Sequence, residues 1–588
     1  MLNKLLEYAQ TNLESEPGFT TKYIRWGIIL NENGELLDIF DLADPDDKRK
    51  RGRAFKKCPD LSQPELVGGK EARCHYLVES VSIATLYSVQ EEELDRKYQE
   101  KHAFFLDLLK SSSSCCTELE IIFNGLSTPA TLKSLQKRLA DLRAKPNDIV
   151  TFAVKSGNQF NYVVESNAWH EWWRQFRMGL KTKASADKKK NNTLGEQMIS
   201  FLSGRLILPV SSNPTIKGLS SVGGLPTGDR MICFDKEAFQ SYFLEQSANS
   251  AVSEEEAFLY RDALNHLIKK YGRKLVNTMI VHWFKDRIPP EDDLFDLLIE
   301  TPVQQELTAQ NKAKELLNSI QTGKRPDLAN NTYYALTLSG ASGRVMMRDW
   351  MEGSFETLAY AITRWFDDLK IVCDDGSGYS PDPKFMRVVY GMTHESQDLP
   401  APSITQLWNC AVRMSPIPDS FLSRCIERFR VDAIKEERQN PARVGLIKAY
   451  HIRKYGENYM SPSLNANHPS PAYQCGRLMA VLADLQRSAL GDVGAGVVQR
   501  YYAAASTTPS LTLGRLIKLS NHHLNKLDKG LSYWYENFIA EIMSHLGDDL
   551  PVTLDLEGQS LFALGYYQQI AFNRSQKSNT KSNNNVEE

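Results

Sequence analysis

The chain has 588 residues, and 70 Lys and Arg stand against 72 Asp and Glu for a net charge of −2. A uniformly basic coat for nucleic acid is thereby excluded, and anion binding must come from local clusters. The length exceeds one hydrophobic core and implies several domains. No apolar run reaches the roughly eighteen residues of a spanning helix, so no membrane role is expected. Nine scattered Cys without a C-x-x-C pair point to reduced thiols in a cytoplasmic protein.

Residues 22–40, KYIRWGIILNENGELLDIF, predict two strands around the turn Asn31-Glu32-Asn33-Gly34, a hairpin signal. Residues 148–164 repeat that grammar around Ser156-Gly157-Asn158, and 91–109 carries helical periodicity. The Lys-rich stretch 181–196 reads as an exposed loop. Ser253 followed by Glu256 is a capping-box start for the helix beginning VSEEEAFLYRDAL, and TMIVHWF (278–284) reads as a short buried strand. From about residue 345 nearly everything reads as helix. The stretch 456–472, with three Pro, looks like a boundary. Beyond it, RLMAVLADLQRSAL, VVQRYYAAA, LTLGRLIKLSNHHLNKL and YWYENFIAEIMSHLG predict four amphipathic helices. The expected class is α+β: a mixed N-terminal α/β region with hairpins and helices (1–345), a helical connecting region (346–459), and a C-terminal four-helix bundle (460–574). A disordered tail (575–588) completes the chain.

Local catalytic motifs are absent. There is no G-x-x-x-x-G-K-[ST], no H-E-x-x-H and no G-x-S-x-G, so no catalytic residue, metal or cofactor is assigned. The adjacent His522 and His523 point to different helix faces, which suits one buried and one exposed ring. A dispersed metal-dependent nuclease is the alternative, with Glu291-Asp292-Asp293 as its acidic cluster. Acids after Pro289-Pro290 also suit the first turn of a helix.

Positive charge concentrates in three places. KRKRGRAFKK (48–57) holds seven basic residues in ten and follows the acidic DLADPDD; it is either a phosphate clamp or a loop paired with its acidic neighbour. Residues 413–454 carry ten basic residues against five acidic, with Arg424 and Arg428 on one helix face. Residues 477–529 carry seven basic and three acidic residues, whereas 536–557 carry six acidic and no basic ones. One bundle thus has two electrostatic ends.

Several ordered segments carry a family resemblance. PTIKGLSSVGGLPTGDRMICFDKEAFQSYFLEQSANSAVSEEEAFLYRDALNHLI (214–268) resembles the central signature of the large subunit of the type I-C CRISPR surveillance complex, Cascade. LTLSGASGRVMMRDWMEGSF (336–355), IKAYHIRKY (447–455), AYQCGRLMAVLADLQ (472–486), RYYAAASTTP (500–509) and LEGQSLFALGYYQQ (556–569) are similar to its later signatures. The resemblance implies a non-catalytic subunit bound to CRISPR guide RNA and to the backbone and guide-end subunits. Such a protein reads a short protospacer-adjacent motif in target double-stranded DNA, helps open the duplex and stabilise the R-loop, and recruits a helicase–nuclease. Motif reading is expected at Lys217, Gly218, Gly223, Gly224, Thr227 and Arg230: Gly223, Gly224 and Gly228 let backbone approach a groove floor, Thr227 and Arg230 meet base edges, and Lys217 anchors a phosphate. Lys56, Lys57, Lys70 and Arg73 are expected on duplex phosphates. Arg477, Arg487, Arg500, Arg515, Lys518 and Lys526 are expected along the displaced strand. The resemblance further implies that small helical subunits arise from an internal start in this frame, for which Met460 is the candidate.

Overall fold

The computed structural model describes residues 1–44, 52–61, 66, 72–89, 95–157, 159–188, 197–210, 212–240, 242, 244, 246–299, 309–395, 398–491, 493–547 and 550–584. Two compact units emerge. The first holds Met1–Ser220, Gly224–Lys269 and Ala341–Val345; the second holds Ser221–Gly223, Lys270–Gly340 and Met346–Glu588.

In the first unit, α1 (Leu2–Asn12) precedes β1 (Phe19–Ile24), β2 (Trp26–Leu30) and β3 (Leu36–Asp41). The β2–β3 hairpin closes where expected: Asn31 Oδ1 accepts from the amides of Asn33 and Glu35, and Gly34 takes φ +81°. The strand β4 (Arg53–Pro59) pairs with β1, and β5 (Glu79–Ser80), β6 (Ile149–Ser156) and β7 (Gln159–Tyr162) complete the sheets. The mixed sheet runs β3-β2-β6-β5 with β7 also on β6; β2 and β6 are parallel. Because strand side chains alternate, Trp26, Ile28, Leu30, Val150 and Phe152 share one face. They are buried with Leu108, Leu119, Ile122 and Leu135 of α2 (Arg96–Ser112), α3 (Thr117–Ser127) and α4 (Pro129–Asp141).

The backbone of α5 (His170–Lys188) remains helical across residues expected to start the exposed loop at 181, a stretch with no Gly or Pro after Gly179 to break it. Residues 189–196 of that loop lie outside the described residues. Two short pairs come next, β8 (Met198–Ile199) with β9 (Leu206–Ile207) and β10 (Thr215–Ile216) with β11 (Asp229–Arg230). Helix α6 (Glu254–Tyr271) opens with the expected capping box: Glu256 N donates to Ser253 Oγ (3.1 Å) and Ser253 N donates to Glu256 Oε2 (2.7 Å).

The second unit contains β12 (Gly272–Leu275), β13 (Thr278–Phe284), β14 (Thr332–Ala341) and most of β15 (Arg344–Ser354), in that order across a sheet. The buried strand expected at 278–284 is β13. The expected boundary at 345 falls inside β15, where a strand replaces the expected helix. Its Met-Met-Arg run has good helix propensity, but pairing with β14 overrides it. Ser342 and Gly343 both take positive φ, which matches a two-residue hairpin turn.

Helices dominate the chain after residue 354, including α7 (Phe355–Leu369), α8 (Asp419–Ile434) and α9 (Pro441–Tyr455). After residue 470 the described residues form five helices where four were expected: α10 (Pro471–Leu490), α11 (Val497–Ala505), α12 (Pro509–Leu524), α13 (Lys529–Leu546) and α14 (Leu556–Asn584). The helix α10 is central, and Gly476 and Gly565 let it approach α14 closely: a Cβ at either would strike the other helix's backbone carbonyl at Phe562 or Tyr473. The segment 456–472 is anchored at its middle, although residues near its ends are exposed. Met460 is 4% accessible, Ser461 O accepts from Gln568 Nε2 (2.8 Å), and Ala466 O accepts from Gln474 Nε2 (2.9 Å). The helix α14 continues through Asn584, into the tail expected to be disordered. It is pinned at 574 by Arg574, which bonds the carbonyl and carboxylate of Asp374 (both 3.0 Å).

Candidate nucleic-acid interface

The glycine loop between β10 and β11 is organised around the fully buried Asp229. Its carboxylate accepts from Leu225 N (3.1 and 3.2 Å), while Gly224 N donates to Leu219 O and Gly228 N to Leu225 O. A Cβ at Gly224 would collide with the Asp229 carboxylate and Leu219. At Gly218 it would meet the Ile268 methyl at 2.8 Å, and at Gly223 the Gly340 carbonyl at 2.8 Å. The close neighbours of Gly218, Gly223 and Gly224 are therefore protein atoms. These glycines shape the turn that carries Thr227 and Arg230.

Side chains around that turn remain available. Lys217 and Thr227 are exposed, and Lys217 is held by its backbone N–H on Asn265 Oδ1 (2.8 Å). Arg230 is half-buried and stands in register with Arg344 of β15. Sequence reading passed over Arg344, whose guanidinium pairs with Asp235 (3.2 Å) and lies 5.7 Å from the Phe239 ring centroid. No local motif marks it; only strand pairing brings it to Arg230.

On β4 Phe55 is buried, whereas Arg53, Lys56 and Lys57 are exposed. Lys57 takes φ +52° at the bulge opposite Thr20 and Lys22, so Lys56 and Lys57 both reach solvent, and neither has an ion pair among the described residues. Arg73 is half-buried, and Lys70 lies outside the described residues.

The terminal helices divide the remaining candidates. Arg477 is 1% accessible; its guanidinium donates to Gln569 Oε1 (2.9 Å), Gln474 Oε1 (2.8 Å), Ala466 O (2.9 Å) and Glu541 Oε1 (3.2 Å). It shares the face of Tyr473 and Val481 at four-residue spacing, which faces the interior, so its assignment to the displaced strand is withdrawn. By contrast, Arg487, Arg500, Arg515, Lys518 and Lys526 are all exposed, and none has an ion pair among the described residues. Two acids that could have neutralised them are engaged elsewhere. Asp484 accepts from the Tyr535 hydroxyl (2.9 Å), and Asp528 caps α13 through Leu531 N (2.9 Å). Asp492 lies outside the described residues. His522 is exposed and His523 half-buried, with its pKa lowered by burial and by the neighbouring Lys526 and His522 charges.

The basic stretch 413–454 behaves differently. Arg413 pairs with Asp349 (3.2 Å), Arg428 and Arg443 with Asp432 (3.1 and 2.7 Å), Arg453 with Asp368 (2.9 Å), and Lys454 with Glu557. Lys448 is 1% accessible and burial pushes its pKa down to about 8.

The acidic cluster of the nuclease alternative lies beside β13. Asp292 is buried and paired with Arg325 (2.9 Å) and Lys312 (3.2 Å). Asp293, with Asp296 and His282, forms a group whose donor atoms lie within 4.8 Å of one another. Each member already has a protein partner. Asp293 Oδ2 bonds His282 Nε2 (2.8 Å) while its Oδ1 accepts from Phe295 N (3.0 Å), and Asp296 pairs with Arg273 (2.9 Å). The His282 charge and hydrogen bonds hold the Asp293 carboxyl below its ordinary pKa although burial opposes this. The arrangement is that of a capped helix start locked to a strand.

The fold class is α+β, a mixed N-terminal region followed by a largely helical part. Residues 3–572 match the family model described as CRISPR-associated protein (Cas_Csd1), so the chain belongs to the CRISPR-associated Csd1 family, the large subunits of type I-C Cascade. No curated protein matches the chain.

Proposed function

We infer that this large subunit is non-catalytic and reads the protospacer-adjacent motif in duplex DNA. In this reading it helps open the duplex, steadies the displaced strand in the R-loop and recruits the helicase–nuclease, working with guide RNA and the backbone and guide-end subunits. The observation that carries the reading is the set of exposed cations at Arg487, Arg500, Arg515, Lys518 and Lys526, none with an ion pair among the described residues, whereas Arg413, Arg428, Arg443, Arg453 and Lys454 are paired within the chain. Counterion release from DNA favours cations of the first kind. Lys56 and Lys57 supply sequence-blind phosphate contacts. Lys217, Thr227 and Arg230 supply motif contacts, and the glycines hold the turn that presents them.

The reading is tested on the reconstituted complex by titrating motif-bearing and motif-free duplexes. Lys217→Ala and Thr227→Val are expected to weaken the motif-bearing duplex selectively, and Arg515→Glu with Lys518→Glu to raise permanganate reactivity of the displaced strand with assembly intact. Equal loss on both duplexes, or unchanged reactivity, would remove it. Small helical subunits from a start at Met460 belong to the same reading. The contacts of Ser461 and Ala466 with Gln568 and Gln474 lie wholly within 460–588 and support a fragment beginning there. Met460→Leu is expected to abolish a short product in purified complexes; its persistence at unchanged mass moves the start elsewhere. The second reading, a nuclease, rests on the His282–Asp293–Asp296 group. Magnesium-dependent cleavage by the purified chain, lost in Asp296→Asn, would establish it.

A further inference from the structure

The first unit's mixed sheet presents a face that α2, α3 and α4 do not use. By alternation and register, Phe40 of β3, Gly27 of β2, Ala153 and Lys155 of β6, and Phe160 and Tyr162 of β7 share that face. Small residues at Gly27 and Ala153 leave room above the sheet, and the Tyr162 ring occupies the space a Cβ at Gly27 would need. Phe40 and Phe160 stack across the face with ring centroids 5.9 Å apart and planes 8° from parallel. Phe160 meets Tyr162 edge-on (6.0 Å), and Tyr162 meets Phe55 of β4 edge-on (5.3 Å). The inner rings, Phe55 and Tyr162, are buried, but Phe40 and Phe160 remain 42% and 40% accessible. Two exposed phenyl rings held parallel on a sheet pack less than their area allows, and the geometry leaves ring surface open to a further flat group.

The charge around these rings favours an anionic partner. Lys155 is the cross-strand neighbour of Phe160, exposed, and without an ion pair among the described residues. Arg53 lies 4.6 Å from the Phe55 centroid and 5.9 Å from that of Tyr162 but is already paired with Glu165 (2.6 Å), which leaves Lys155, among the described residues, as the cation open to a ligand on this face. The same strand, β4, carries the unpaired Lys56 and Lys57. A flat apolar group attached to a phosphate chain satisfies both features. In a duplex, base faces are covered by their neighbours, whereas an unpaired strand offers them. We propose that Phe40 and Phe160 form a stacking platform for unpaired bases of single-stranded DNA, with Lys155 on the adjoining phosphate. The choice of DNA rests on the reading that Lys56 and Lys57 meet the phosphates of the target duplex: strands released beside those contacts reach the platform first.

The test uses the full chain and fluorescent oligonucleotides containing 2-aminopurine. Phe40→Leu with Phe160→Leu keeps the face apolar while removing the rings, and should weaken single-stranded DNA roughly tenfold or more. The slope of affinity against salt should stay unchanged, because every cation is retained. An oligonucleotide with abasic sites, bound to the unaltered chain, should lose affinity similarly and keep the same slope. Lys56→Gln with Lys57→Gln separates the platform from the reading beneath it. If these lower duplex affinity and slope while the leucine variant binds single strands normally, the platform is wrong and the phosphate reading stands. If the lysine variant leaves duplex binding unchanged, the phosphate reading itself fails and takes the choice of DNA with it. A greater loss for RNA of the same sequence would overturn the DNA assignment. Loss of subunit assembly with oligonucleotide binding unchanged would make the face a protein contact instead.

Discussion

Two basic stretches differ in how many of their cations find a carboxylate. In 413–454 Arg413, Arg443, Arg453 and Lys454 face carboxylates brought by other elements, Asp349, Asp432, Asp368 and Glu557, while Arg428 pairs with Asp432 one turn along its own helix and Lys435 and Arg438 stay exposed. In 487–526 the cations project from α10, α11, α12 and the turn after α12, and the nearby acids cap a helix or bind a hydroxyl. Local charge density therefore says little about availability. What decides it is whether burial forces a cation to find a partner, since an unpaired buried charge costs several kcal/mol and an unpaired surface one almost nothing.

The sharpest way to break this comparison is to remove a partner in the first stretch. Arg443 is 2% accessible and bonds Asp432 Oδ2 (2.7 Å) and Gly391 O (2.6 Å). Arg443→Met should cost about 3–5 kcal/mol by leaving Asp432 under-compensated in the interior, read by urea unfolding. An unchanged midpoint together with weakened DNA binding would move Arg443 into the second class.

The next effect is nearly as large and depends on pH. His451 is fully buried, bonded through Nε2 to Ser560 Oγ (2.6 Å), with its pKa lowered to about 4. Burial is the main cause; Glu557 opposes it, while His468 and Lys454 add to it. The folded pKa lies below the unfolded value, so the unfolded state binds the proton first. The stabilisation is complete above about pH 6.5 and declines as pH falls toward 4, by roughly 3 kcal/mol in all. His451→Gln should flatten stability between those limits; a profile of unchanged steepness would show that other groups set it.

Some of this was legible in the sequence and some could not be. The β2–β3 hairpin, the antiparallel pairing of β6 with β7, the strand 278–284 and the capping box at Ser253 are local signals, and short-range chemistry settles them. The choice of strand for β15, the fifth terminal helix and the burial of Arg477 depend on tertiary partners, such as Glu541 and Gln569 at 64 and 92 positions from Arg477. The same applies to the glycine loop. Its composition announced a turn, but only the buried Asp229 shows that the glycines face protein. The stacked Phe40 and Phe160 carry no signature beyond alternation on separate strands.

A smaller effect on stability, and a large one on binding, is expected from the second stretch. Reversing Arg515 and Lys518 should change unfolding by no more than about 0.5 kcal/mol, because both are exposed and unpaired. Single-stranded DNA affinity should fall, with the salt slope reduced by about 0.7 for each phosphate that is no longer neutralised. A stability loss comparable to that of Arg443→Met would erase the distinction between the two stretches.

The smallest effect isolates why the second stretch stays unpaired. Asp528 stands two residues after Lys526, close enough in sequence to neutralise it, yet its carboxylate accepts from Leu531 N at 2.9 Å and caps α13. Asn caps as well as Asp, whereas Ala does not cap. Asp528→Ala should therefore cost about 1 kcal/mol and Asp528→Asn close to nothing, with the salt slope of single-stranded DNA binding the same in both. If the acid instead neutralised Lys526, both variants would free that cation equally. Both would then steepen the slope by about 0.7 whatever they did to the helix. A slope that rises in both variants would thus place Asp528 in the class of Asp432 and leave the basic track one cation shorter.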